Sequence, residues 1–146
     1  MSMQQILDTV KTFDHVLVLS PEHGSTFPEI SWGDHYFYFS PDGEIPQRTQ
    51  PFATVVTKDY PDDTASRLGV DGRWRVNIHV GRDRAVTLTG TGPWAHTITD
   101  VIVPHPLYGM AGWVSVVNPA ELTSASVLDL LRGAFDDQRR RLERQH

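Results

Sequence analysis

Alternation of apolar and polar positions is clearest from Trp74 to Val80. Trp74, Val76, Ile78 and Val80 fall on one side, and Arg75, Asn77 and His79 on the other, as on a half-buried strand. Ser2 to Phe13 repeats at helical spacing instead. Ile6, Leu7, Val10 and Phe13 share a face, and Ser2 with Gln5 three residues on matches a capping box. His15 to Ser20 is a short β-rich run bounded by Pro21 and Gly24, which predicts a strand. Ile30 to Phe39 predicts a hairpin turning at Gly33-Asp34, because glycine at the first central position suits a type II′ turn. Pro41-Asp42-Gly43 then turns the chain, and Gly43 to Pro51 reads as a loop.

Phe52 to Lys58 is the next strand. Asp62 or Asp63 is placed to cap a short helix through Leu68, with Gly69 as its stop. Arg82 to Thr89 fits a short helix or an extended piece, since Val86, Thr87 and Thr89 disfavour helix only weakly. Gly90 to Gly112 holds four glycines and three prolines and predicts a long connection with little regular structure. Trp113 to Val117 is the last strand, ended by Asn118-Pro119. The final helix spans about Ser124 to Arg144. Val127, Leu128, Leu131, Phe135 and Leu142 form its apolar stripe, with Ala134 beside them. This order predicts an α+β fold. A mostly antiparallel sheet of about five or six strands carries the N-terminal and long C-terminal helices.

Length changes this picture little: 146 residues fit one domain, residues 1–146. Charge narrows the partners. The net charge is −5, and from Ser124 onward five arginines meet four acids, against eight basic residues and fourteen acids before it. A nucleic-acid binder shows a basic face. Here only Arg139-Arg140-Arg141 forms a basic run, which reads first as the solvated face of a helix. Nucleic-acid binding through that helix is therefore the least favoured function. The absence of cysteine excludes disulfides, thiolate metal sites and cysteine nucleophiles, and fits a reducing compartment. No apolar run reaches the ~18 residues of a membrane span, and MSMQQILDTVKTF lacks the pattern of a signal peptide. A cytoplasmic domain without membrane contact is expected.

The candidate chemistry gathers between Val101 and Pro119. His105 sits between Pro104 and Pro106, which hold its backbone away from the helical region. A rigidly presented imidazole serves as general base, ligand contact or metal ligand; the competing reading is a histidine bonded to its own loop backbone. If the chain is an enzyme, the set is His105 as base, Asp59 as its orienter and Lys58 as an electrostatic stabiliser, in a small hydrolase or isomerase. Lys58-Asp59 reads first as a surface ion pair worth about 0–1 kcal/mol. Among His35, His79, His96, His105, Asp34 and Asp59 there is no tight metal motif, and a site built from His79, His96 and His105 is a weak candidate. Asn77, between two apolar strand positions, either presents its amide to a ligand or bonds a neighbouring loop. Trp32, Tyr36, Tyr38, Trp74, Trp94, Tyr108 and Trp113 either line a pocket or pack in the core; core packing is favoured for Trp74 and Trp113, and Trp94 and Tyr108 of the long connection are the better pocket candidates. Gly90-Thr91-Gly92 is not a phosphate loop, and no GxSxG elbow is present. No cofactor is implied.

The segments PEISWGDHYFYF, QPFATVVTKDYP, RVNIHVG, PHPLYGMAGWVSVVNP and LLRGAFD, spread over nearly the whole chain, resemble an uncharacterised bacterial family known as domain of unknown function 6194. The resemblance implies no activity and lends no catalytic residues. More distantly, Val56-Thr57-Lys58, Trp113-Val114 and Leu130 to Phe135 stand where MmcQ/YjbR-like proteins carry similar elements. That likeness implies a compact α+β domain with an antiparallel sheet. Its suggestion of DNA binding rests on fold analogy, and the acidic balance opposes it. The leading expectation is a non-catalytic domain that binds a small molecule or a protein. Asn77, His105, Tyr108 and Trp94 would be its contacts.

Overall fold

The computed structural model describes residues 1–145. Six strands form one antiparallel sheet: β1 Val16–Leu19, β2 His35–Phe39, β3 Ala53–Val56, β4 Arg75–His79, β5 Val103–Pro104 and β6 Trp113–Val117. Their spatial order is β1-β2-β3-β4-β6-β5. Among the described residues three α-helices accompany them: α1 Met3–Val10, α2 Arg82–Thr89 and α3 Ser124–Arg144. The expected α+β architecture, with helices at both ends of the chain, is present.

Helices α1 and α3 pack on one face of the sheet. Ser2 accepts from Gln5 N at 3.2 Å and its own N–H donates to Gln5 Oε1 at 2.8 Å, so the capping box forms. Ile6, Leu7, Val10 and Phe13 are buried against Phe37, Phe39, Val55, Val76, Ile78, Val114 and Val116. Phe135 of α3 lies at the centre, with ring centroids 5.1 Å from Phe13, 5.7 Å from Phe39 and 5.7 Å from Phe52. The α3 stripe is wider than its spacing suggested. Leu130 and Gln138 are buried, whereas Leu128 and Leu142 are half-buried at its edge. Gln138 is inside because its amide closes two backbone gaps: Oε1 accepts from Phe39 N at 2.8 Å and Nε2 donates to Gln50 O at 2.9 Å.

Three local expectations are corrected. Residues 30–39 form no hairpin. Glu29–Ser31 is a 3-10 turn and β2 pairs with β1 and β3. Asp34, read as a turn residue, is fully buried and organises the end of β3. No helix spans 62–68. Asp63 gives its carboxylate to Arg75 instead of capping, and the Leu68 N–H donates to Asp59 Oδ1 at 2.9 Å. The polar side of β4 is not solvated either: Arg75 and Asn77 are 2% and 3% exposed. The undecided segment from Arg82 is helical (α2), with only Ala85 buried.

The connection 90–112 is largely irregular, as expected, and folds over the face of the sheet that α1 and α3 leave free. Gly112 O accepts from Val80 N and Gly81 N. Gly112 has φ +91°, and an added Cβ would lie 2.6 Å from the Gly81 backbone, so only glycine fits this crossing. Asn118, at φ +46°, ends β6 by accepting from Trp74 N at 2.9 Å and donating to Gly72 O at 2.9 Å. Asp100 ties the same connection to α3, accepting from Ala120 N, Leu122 N and Thr123 N.

Candidate functional site

A single polar rung crosses the sheet face opposite α1 and α3. Register sets Tyr36 opposite Thr54, Thr54 opposite Asn77, and Asn77 opposite Ser115. Facing residues on neighbouring strands bring their side chains within contact range. Asn77 is the centre. Its Nδ2 donates to Thr54 Oγ1 at 3.0 Å, and its Oδ1 accepts from Ser115 Oγ at 2.7 Å and Arg75 Nε at 2.8 Å. Those bonds fix the amide's orientation. The partners of Asn77 are strand residues, not the neighbouring loop that the sequence suggested.

Arg75 lies two residues before Asn77 on the same face. Its Nη1 donates to Asp63 Oδ1 at 3.1 Å and to Ser66 Oγ at 2.9 Å, and its Nη2 donates to Asp63 Oδ2. The fork-on-carboxylate geometry is what makes burial of this charge tolerable. Burial alone would push the Asp63 carboxyl up. Hydrogen bonding and charge from Arg75 outweigh it and hold the carboxyl below its usual range.

His105 completes the floor and is 7% exposed. Its Nδ1 accepts from the backbone N–H of Leu107 at 3.1 Å and of Tyr108 at 3.2 Å. A nitrogen that accepts twice carries no proton, so the neutral ring holds its hydrogen on Nε2. Nε2 lies 3.3 Å from Arg75 Nη2 and 3.7 Å from Asp63 Oδ2. Burial, then the Arg75 charge, pushes the His105 pKa down to about 4. Protonation would also break the two backbone bonds. At neutral pH this ring is a fixed donor. It clamps the Pro106–Tyr108 turn, and the Tyr108 ring packs on it with centroids 4.8 Å apart.

A second set of bonds builds the opposite wall. Buried Asp34 accepts through Oδ1 from Thr57 N, Thr57 Oγ1 and Lys58 Nζ, each at 2.8 Å. Its Oδ2 accepts from the Tyr60 hydroxyl, whose oxygen lies 3.1 Å from the Tyr36 hydroxyl. Burial and the bond to Asp34 raise the Tyr60 pKa, and burial raises that of Tyr36, so both phenols stay protonated. Between the walls lies a cleft of about 210 Å³, lined by Tyr36, Thr54, Tyr60, Arg75, Asn77 and His105 and rimmed by Leu107 and Tyr108. A larger groove of about 770 Å³ lies between residues 39–49 and the end of α3. It is lined by apolar Phe39, Pro41, Ile45 and Leu142 and by Ser40, Asp42 and Glu44, whose hydrogen bonds to one another close the local turn.

Of the residues singled out from the sequence, the cleft gathers Tyr36, Asn77, His105 and Tyr108. It does not gather the set proposed for an enzyme. Lys58 Nζ bonds Trp32 O and Asp34, Asp59 bonds Leu68 N, and the carboxylate beside His105 is Asp63. Trp94 sits away from the cleft lining, donating from Nε1 to Thr89 O at 2.9 Å. His79 lies against Trp113 with Nε2 3.2 Å from Ala111 O, and lines a different pocket beside Arg48 and Arg141. His96 is half-buried in the 90–112 connection and is not among the residues that line the cleft. Among the described residues no three His, Asp or Glu side chains are grouped to hold a metal. Sequence reasoning missed Arg75, Asp63, Thr54, Ser115 and Tyr60, and with Tyr60 the bonds that join Asp34 to Tyr36. The legible signal was Arg75 inside an otherwise buried strand, since a charge there needs a partner.

Fold and cleft together define an α+β domain in which helices cover one face of an antiparallel sheet and loops enclose a small polar and aromatic cleft on the other. The chain belongs to the family of unknown function DUF6194, whose model matches residues 1–146. No curated protein and no solved structure matches the chain. Nothing in these comparisons supports the more distant likeness to MmcQ/YjbR-like proteins. Among the described residues no helix is long and apolar enough to cross a membrane.

Proposed function

We propose that this chain is a small-molecule-binding domain, with its site in the cleft between the Tyr36–Thr54–Asn77 rung and the His105–Tyr108 turn. One observation carries the reading: the cleft floor is locked by mutual hydrogen bonds yet keeps donors and acceptors to spare. Asn77 is oriented by three bonds, and Thr54, which accepts from Asn77, still has its own hydroxyl proton to give. A fixed polar floor under aromatic walls is the usual design of a ligand pocket. The volume, about 210 Å³, suits a small metabolite. The same locking opposes acid–base catalysis at His105, whose acceptor nitrogen is taken by backbone. It also gives no support to binding by the Arg139–Arg141 run, where Arg139 lies over Phe135 and Arg140 pairs with Asp137.

A thermal-shift screen against small metabolites tests the proposal. A ligand at a hundred times its Kd stabilises by about 2.7 kcal/mol, which raises the Tm of a domain of this length by roughly 5–10 °C. The gain is expected to vanish in Tyr108→Ala, which removes an exposed rim ring. A screen without a stabiliser, or a stabiliser indifferent to Tyr108→Ala and Leu107→Ala, would contradict the proposal.

A further inference from the structure

Away from the cleft, a pocket of about 230 Å³ lies between the 47–51 loop, the end of β4 and the last turns of α3. Arg48, His79 and Arg141 line it, one from each of these elements, and no carboxylate does. In a chain of net charge −5 this is a local reversal of sign. Among the described residues neither Arg48 nor Arg141 is paired with an acid, whereas Arg132 and Arg139 pair with Asp136 and Arg140 with Asp137. The helix dipole accounts for a cation in the last turn of α3. It does not account for Arg48 or His79, which reach the same pocket from other elements.

Hydrogen bonds hold these elements together. Buried Gln138, one turn ahead of Arg141, donates to Gln50 O at 2.9 Å and accepts from Phe39 N at 2.8 Å. That ties the loop carrying Arg48 to the helix carrying Arg141. The His79 N–H donates to Phe52 O at 3.1 Å and joins β4 to the same loop end. The His79 ring lies against Trp113, with centroids 5.4 Å apart, and its Nε2 is 3.2 Å from Ala111 O. A carbonyl only accepts, so Nε2 carries a hydrogen. Nδ1, which no described group meets, is the nitrogen left for a ligand. Burial and then Arg141 lower the His79 pKa, against the opposing pull of Ala111 O and Asp137, so the ring is neutral at pH 7 in the free protein. Arg48 is the remaining charged group of the lining.

An anion beside both guanidinium groups reverses that balance. It favours the imidazolium, whose Nδ1–H then donates to it. Donors arriving from three elements suit a tetrahedral oxyanion, and the guanidinium fork matches phosphate oxygens. We propose that this pocket binds the phosphate group of a small phosphomonoester, held by Arg48, Arg141 and protonated His79. Pro51 and Leu142, beside the cations, offer apolar surface to the organic part of the ester. A nucleic-acid backbone needs a track of cations. Here Arg140 is taken by Asp137 and Glu143 follows Arg141 by two residues, so the surface accommodates a single phosphate.

The test titrates phenyl phosphate, inorganic phosphate and benzoate into ¹⁵N-labelled full-length protein at constant chloride. Phenyl phosphate is expected to bind most tightly. It should protonate His79 Nδ1, raising the pKa of that ring by at least about one unit, a tenfold preference for the charged form. Arg48 and Arg141 are both exposed, so their substitution leaves the fold intact. Arg48→Gln and Arg141→Gln should each weaken phenyl phosphate by about tenfold, the order of one lost charge-assisted hydrogen bond. Lys11→Gln makes the same change in net charge on exposed surface outside the pocket and should alter binding by less than about twofold, because distant exposed charges are screened. Inorganic phosphate binding more tightly than its ester would overturn the ester and assign the free ion. Benzoate binding as well as phenyl phosphate would overturn the phosphate class. Equal losses in Lys11→Gln and Arg141→Gln, a His79 ring unmoved at saturation, or no binding by any probe would overturn the site.

Discussion

Replacing Asp63 with asparagine should destabilise the protein by about 3–5 kcal/mol, the usual cost of stripping a buried ion of its partner. Arg75 is 2% exposed and Asp63 9%. In Asp63→Asn the guanidinium keeps its charge, loses its counter-charge and faces an amide N–H where a carboxylate oxygen stood. Ser66 and Asn77 satisfy two of its hydrogens but neither balances the charge. The measurement is the urea midpoint at unchanged m-value. Removing both charges is a different experiment. Asp63→Leu with Arg75→Met should recover most of the loss, because the desolvation of both ions disappears together. If Asp63→Asn costs less than about 1 kcal/mol, a figure expected of an exposed pair, then Arg75 and Asp63 do not form a buried floor.

Stability should fall as pH drops from about 6.5 to about 4. The His105 pKa is about 4 in the folded protein, lowered first by burial and then by Arg75. In the unfolded chain it returns to about 6.5. Between these values the unfolded chain binds a proton that the folded one refuses, so stability is full above about pH 6.5 and decays through the window. The loss from His105 is on the order of 3 kcal/mol. Burial lowers the pKa of His35 and of His79 as well, which adds to the slope in the same direction. Asp63, held low by Arg75, stays ionised throughout. Urea midpoints from pH 4.5 to 7.5 check this. His105→Asn, whose amide oxygen can still accept from the loop backbone, should flatten much of the slope. A slope unchanged by that substitution would assign the pH dependence elsewhere.

Much of the fold was legible because it follows from period alone. The stripes of α1 and α3 and the alternation of β4 declare which residues face the core, and Gly and Pro mark the connections. Errors fell where a side chain overrides local chemistry. Gly33-Asp34 has the composition of a tight turn, but four donors gather on the Asp34 carboxylate and draw it inside. Asp63 has the composition of a helix cap, but Arg75, twelve residues on, takes it. Such pairings are long-range, and no window of the sequence contains their geometry. The site was half legible for the same reason. His105 stood out through its flanking prolines and Asn77 through its place in a strand. That they share a floor with Arg75 and Asp63 depends on strand register and on how the 90–112 connection crosses the sheet. The prolines around His105 serve the clamp: they hold the ring where its Nδ1 meets the Leu107 and Tyr108 amides.

The central claim is that His105 is a fixed donor at the floor of a binding cleft and not an acid–base group. Long-range ¹H–¹⁵N correlation of the histidine side chains tests it most directly. The structure predicts an unprotonated Nδ1 and a protonated Nε2 for His105, unchanged between pH 5.5 and 8. A proton on Nδ1, or a ring that titrates near pH 6.5 like an exposed histidine, would contradict it.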